Sequence, residues 1–212
     1  MLRNFHTNSN SDADLLNIAA FVPQTRSHGP GLRAVVWVQG CPFHCSGCIA
    51  PEWQEQRTAK LVRLGDLAQR ILAQPGVTGL TLSGGEPMLQ AGALASLIEQ
   101  LRRRRPSLDV ICFTGFLWKD LLARAFLGET GIECLLGQVD VLIDGPYIES
   151  LNNGRGLRGS TNQVVHRLTE RGRRLAYDFE NAPRQMEIHV GNGQYLAVGI
   201  PPDGVLVAID NL

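Results

Sequence analysis

From Arg33 onward the chain alternates short apolar runs with segments of helical period, divided by turn residues, an order that favours parallel strands joined by crossover helices. Arg33–Gln39 (RAVVWVQ) reads as a first strand. Leu64, Leu67, Ala68, Ile71 and Leu72 then share one helical face that Pro75-Gly76 ends, and Val77–Leu82 reads as the next strand. Leu94, Leu97, Ile98 and Leu101 make a second amphipathic helix before a strand at Asp109–Phe113. Trp118, Leu121, Leu122, Ala125 and Phe126 make a third helix before a strand at Val139–Ile143. The tail MEIHVGNGQYLAVGI has apolar runs around Gly191-Asn192-Gly193 and predicts a β-hairpin. The class is α/β. The distinctive residues fall at strand C-terminal ends, the edge that holds active sites in α/β barrels and open sheets alike.

The first of those edges carries Cys41, Cys45 and Cys48, a C-x3-C-x2-C triplet. Structural zinc sites draw paired ligands from two separated halves, and no second pair follows. Three thiolates suit three corners of a [4Fe–4S] cube and leave one iron open for chemistry. The same loop also admits a zinc knuckle completed by His28 or His44, or a reactive thiol cluster. Both histidines read otherwise as ordinary loop residues. The two remaining cysteines, Cys112 and Cys134, lie in apolar stretches and read as buried free thiols in a reducing compartment.

With 212 residues and 44 % apolar composition the chain buries about 70 % of its unfolded surface and needs no disulfide. Twenty basic and twenty acidic side chains give no electrostatic reason to bind nucleic acid or a membrane surface. Arg102–Arg105 read as a solvated helix end, and Arg171, Arg173 and Arg174 as an exposed loop. Residues 1–24 read as a flexible lead-in to a single domain over 25–212. Asp12 and Asp14 before a short apolar stretch are wrong for a secretory signal, and no run approaches the ~20 apolar residues of a membrane span, so a cytoplasmic protein is expected.

Ser83-Gly84-Gly85-Glu86-Pro87 follows the second strand. Its glycines allow close backbone approach, and Pro87 suits a helix start. Together with the cysteine triplet one strand earlier, this loop resembles the radical S-adenosylmethionine superfamily, in which CxxxCxxC binds a [4Fe–4S] cluster and a GGEP-type loop positions the methionine ammonium. GPGLR (Gly29–Arg33), Trp53, DGPYIES and LRGSTNQ (Leu157–Gln163) narrow the likeness to activating enzymes of anaerobic ribonucleotide reductases, close relatives of pyruvate formate-lyase activase. It covers roughly Gly29 to Gln163. One departure is Gly47, where much of the superfamily carries an aromatic residue against adenine; the reductase-activating branch tolerates glycine there.

The resemblance implies a partial (βα)6 TIM-like barrel of the radical S-adenosylmethionine type with the hairpin at its C-terminus. It implies that Cys41, Cys45 and Cys48 hold the cluster, that Gly84, Gly85 and Glu86 orient the methionine end, and that Thr114, Asp144 and Arg158 contact the cofactor. The implied reaction is reductive cleavage of S-adenosylmethionine to a 5′-deoxyadenosyl radical, which installs a glycyl radical on a partner enzyme such as anaerobic ribonucleotide reductase. Flavodoxin or ferredoxin is the implied reductant. Two other readings stand beside it: modification of a small molecule or peptide by the same chemistry, and a non-catalytic iron–sulfur or zinc-binding module.

Overall fold

Six consecutive buried residues, Arg33–Val38, make β2, and a strand hidden on both faces belongs in the middle of a covered sheet. The computed structural model describes residues 14–191 and 194–202 and places β2 there. Its parallel neighbours are, in order, β4 (Gly79–Gly84), β5 (Asp109–Phe113) and β6 (Val141–Asp144). Three antiparallel strands flank this core. β1 (Leu15–Thr25) pairs with β2 and with β3 (Lys60–Arg63), and β7 (Val164–Arg167) pairs with β6. The sheet order is β3-β1-β2-β4-β5-β6-β7, open, with β3 and β7 at its edges.

The lead-in expected over residues 1–24 is corrected by β1. Leu16, Ile18 and Val22 are buried along it, so this short apolar stretch is an integral strand. Residues 1–13 of that expectation lie outside the described residues. β3 and β7 are four-residue strands at the edges, too short and too polar to read as strands in isolation. β8 (Met186–Gly191) and β9 (Gln194–Gly199) pair antiparallel as a separate hairpin.

One face of the sheet packs against α1 (Leu64–Leu72), α2 (Ala91–Arg104), α3 (Trp118–Phe126) and α4 (Thr130–Leu136). α4 shares the β5-to-β6 crossover with α3 and buries Ile132 and Leu135. Only Leu121 of α3 is fully covered; Leu122 and Phe126, expected on its core face, are exposed, Phe126 by 91 %. Cys134 is exposed as well, because α4 turns its other side inward, whereas Cys112 is buried as expected. The opposite face of the sheet is covered by loops and the hairpin. There Ile111, Val141 and Ile143 meet Leu157 and Phe179, and Val22, Val35 and Trp37 meet Val198.

The GPGLR segment anchors the strand N-terminal ends. Arg33, wholly buried, pairs with Asp109 at 2.5 Å and donates to Thr81 Oγ1 and the Leu80 carbonyl at 2.8 Å each. Burial lowers the Arg33 pKa, and Asp109 opposes that shift. Gly79 is required beside it, since a Cβ there would collide with the guanidinium. The basic runs are only partly solvated. Arg102 and Arg171 both pair with buried Asp140, at 2.6 and 2.9 Å, and Arg105 donates to the carbonyls of Leu72, Gln74 and Val77. α5 (Glu170–Arg174) brings Arg171 to that aspartate.

Candidate active site

The chain leaves β2 through Gly40, whose φ of 94° is open to glycine and strained for other residues. The cysteine loop that follows closes on itself: Gly40 N donates to the Trp53 carbonyl and Cys41 N to that of Gln54, both at 2.9 Å. Phe43 extends from the loop to the end of β5. A Cβ on Gly115 would stand 2.5 Å from the Phe43 ring, so glycine is the residue that leaves room for it. The ring also meets Phe116 edge-on, with centroids 4.9 Å apart.

The SGGEP loop lies directly on this arrangement. Gly85 N donates to Val38 O and Glu86 N to Gly40 O, each at 2.8 Å, and a Cβ on Gly85 would collide with the Gly40 carbonyl. Glu86 caps the 3-10 turn Pro87–Gln90. Its carboxylate accepts from Met88 N at 2.9 Å, Thr114 Oγ1 at 2.9 Å and Gly115 N at 2.7 Å. Burial pushes the Glu86 pKa up to about 7 against those three donors. The side chains of Glu86 and Thr114 therefore fasten the end of β4 to the end of β5.

Cys41, Cys45, Cys48, Gly84, Gly85, Glu86 and Thr114 all line one cavity of about 610 Å³ at the C-terminal edge of the parallel strands. Asp144 and Arg158 do not line it. Asp144 Oδ2 accepts from Trp118 N at 2.5 Å, fixing the start of α3, while Oδ1 stands 3.2 Å from His166 Nε2. Arg158 donates to the carbonyls of Thr161 and Gln163 at 3.2 Å. Both tie loops in place beside the site. His44 is exposed on the cysteine loop. His28 is buried, lines the cavity, meets Trp37 edge-on at 5.1 Å, and leaves Nδ1 without a hydrogen-bond partner. Burial lowers its pKa to about 4, helped by Arg33 and opposed by Glu187.

The sequence assigns Glu149 no role; Gly47, read there only as a departure from an aromatic position, is the residue it packs over. Gly47 has φ 70°, and a Cβ on it would stand 2.7 Å from the Glu149 carboxyl carbon. The Glu149 carboxylate reaches across the cysteine loop into the space of a side chain at 47 and accepts from Ser46 Oγ at 3.3 Å. Tyr147, from the same 145–151 segment, also lines the cavity.

The three thiols suit a cluster. All three are free and half-buried, and all line one cavity. Burial pushes the Cys41 thiol up to about 11.

Residues 27–166 match the family described as a 4Fe-4S single cluster domain. The anaerobic ribonucleoside-triphosphate reductase-activating protein of Vibrio cholerae is 31 % identical over 163 residues, covering 73 % of this chain and 99 % of that protein. The protein of the same description from Escherichia coli K12 is 26 % identical over 163 residues, 72 % of this chain and 99 % of its own. The pyruvate formate-lyase-activating enzyme of Staphylococcus epidermidis is 34 % identical over 80 residues, 35 % of this chain and 32 % of the enzyme.

Proposed function

The chain belongs to the 4Fe-4S single cluster domain family, and from that premise we propose that it activates a glycyl-radical enzyme, with an anaerobic ribonucleotide reductase as the partner its relatives indicate. The observation that carries this reading is the contact between two loops. The cysteine loop and the SGGEP loop share Gly40, whose carbonyl accepts from Glu86 N, so a cluster held by the cysteines adjoins the backbone of Gly84–Glu86. Cys41, Cys45 and Cys48 hold the cluster, and the Gly84–Glu86 backbone receives the methionine end of S-adenosylmethionine. Glu86 and Thr114 keep that backbone in shape, with their polar atoms engaged on each other. Asp144 and Arg158 position the neighbouring loops.

With the cluster held by Cys41, Cys45 and Cys48 and S-adenosylmethionine at Gly84–Glu86, the site would supply one-electron chemistry able to remove a hydrogen atom from a glycine Cα of the partner. The chain's own part is to hold, orient and exclude water: Phe43, Trp37 and Trp53 present apolar surface to the cavity. The partial (βα)6 barrel expected from the resemblance belongs to this reading; the sheet itself is open, with four parallel strands and the site at their C-terminal edge. A flavodoxin or ferredoxin is the reductant in this reading, and the setting is an anaerobic cytoplasm. Among the described residues no helix is long and apolar enough to cross a membrane.

The test is anaerobic reconstitution with iron and sulfide, reduction with dithionite, and assay of 5′-deoxyadenosine formed from S-adenosylmethionine, with Cys45→Ala as control. A glycyl-radical signal on an added anaerobic ribonucleotide reductase establishes the activase. Cleavage without radical transfer to any glycyl-radical enzyme refutes it, and folded protein that assembles no cluster refutes the chemistry as well.

A further inference from the structure

The β8–β9 hairpin lies after residue 166, beyond the span of the family match, yet it builds a wall of the cysteine cavity. Tyr195, Leu196, Ala197, Gly199, Ile200 and Pro201 all line it. The hairpin is anchored on both sides of the open sheet. Toward β1 and β2, Val198 is fully buried against Val22, Val35 and Trp37, Ser27 Oγ donates to the Val198 carbonyl at 2.8 Å, and Glu187 accepts from Arg26 N at 2.7 Å. Toward β6, Arg184 donates to the carbonyls of Arg158 and Gly159 at 3.0 and 3.2 Å, and Arg155 bridges to Pro183.

The anchored strand turns Val198 inward and leaves Tyr195 and Ala197 exposed on its other face, along the cavity. This wall carries no charge over residues 195–202. Glu52, Glu86, Glu149 and Arg184 also line the cavity, all outside this stretch, and the guanidinium of Arg184 donates to backbone carbonyls. Against residues 195–202 a charged side chain would lose its water with no opposite charge on that stretch to meet it, whereas an uncharged peptide segment meets apolar side chains.

We propose that the β8–β9 hairpin selects the substrate, admitting an extended, uncharged peptide segment that carries the reacting glycine and is read by Tyr195 and Ala197. The inference rests on the activase reading above. The reaction on that peptide is a hydrogen-atom transfer: the glycine Cα–H bond breaks, the C5′–H bond of 5′-deoxyadenosine forms, and the unpaired electron stays on the glycine.

The test uses the reconstituted full-length protein and two fluorescently labelled glycine-centred peptides, one flanked by Ala and Val and the other by Glu. Binding is read by anisotropy, and transfer from an α-deuterated glycine is read as deuterium in 5′-deoxyadenosine. The uncharged peptide should bind more tightly than the acidic one. Ala197→Arg and Tyr195→Ala, both at exposed side chains, should each weaken it by about ten-fold, whereas Val190→Arg, outside the cavity, should bind as the unaltered protein does. Equal affinity for both peptides, or unchanged affinity in Ala197→Arg and Tyr195→Ala, overturns the proposal while leaving the activase reading intact. Cleavage of S-adenosylmethionine with no hydrogen taken from either peptide or from any glycyl-radical enzyme overturns both.

Discussion

His28 should make the folded protein sensitive to mild acid, by an amount that follows from its burial. Its pKa stands at about 4 in the fold against 6.5 for the free side chain. The unfolded chain therefore takes up a proton first as pH falls, and folded stability declines below about 6.5 until the folded group also titrates near 4. Between pH 7.5 and pH 5 the loss amounts to about 2 kcal/mol, from the ratio of the two protonation polynomials at that pH. Arg33 adds to the depression and Glu187 opposes it, so both charges belong to the environment being tested. Urea denaturation of the cluster-free protein at several pH values gives the wild-type slope. His28→Gln keeps a neutral polar group at the cavity and removes the titration, so its stability should fall by about 2 kcal/mol less over the same interval. Parallel pH profiles for the two proteins would refute a buried, neutral imidazole at this position.

Arg33→Met should destabilise by about 3–5 kcal/mol, because Asp109 is left charged and buried; adding Asp109→Leu should recover much of the loss, measured by denaturant midpoints. Gly47→Ala places a methyl group against Glu149 and a left-handed φ on alanine, and should lower iron incorporation on reconstitution. Adding Glu149→Ala should restore part of that incorporation by removing the collision. Alkylation of the cluster-free protein, followed by peptide mapping, should label exposed Cys134 ahead of Cys112, whose thiol is buried and raised well above its usual range.

The strands and helices with strong periodicity were legible because their side chains enter a single core. α2 and β5 occupy the predicted segments, and β2 departs from its expected range by one residue. What failed depended on the partner surface. Leu122 and Phe126 share a helical stripe with Leu121, but the sheet beneath α3 covers only the last of these. Cys134 has an apolar neighbourhood in sequence and a solvent-facing position on α4. β1 was hidden by its mixed pattern, since only alternate positions near its start are buried. At the site, the cysteine triplet and SGGEP were readable as local motifs and line one cavity. Asp144 and Arg158 carried the right chemistry at promising edges, yet their side chains turn to backbone and neighbouring loops. The tail was legible as a hairpin, but nothing local places residue 195 beside 41 or the Glu149 carboxylate beside 47.

The shared use of Gly40 ties the cysteine loop and the SGGEP loop together. Its N–H fixes the far end of the cysteine loop and its carbonyl fixes the SGGEP backbone, so order imposed on one loop is already imposed on the other. Whatever affinity the sulfonium ligand gains from a filled cysteine loop, the filled loop must gain from the ligand in equal measure. Metal retention under chelation should therefore rise on ligand binding by the same factor by which ligand affinity rises when the cysteine loop is filled.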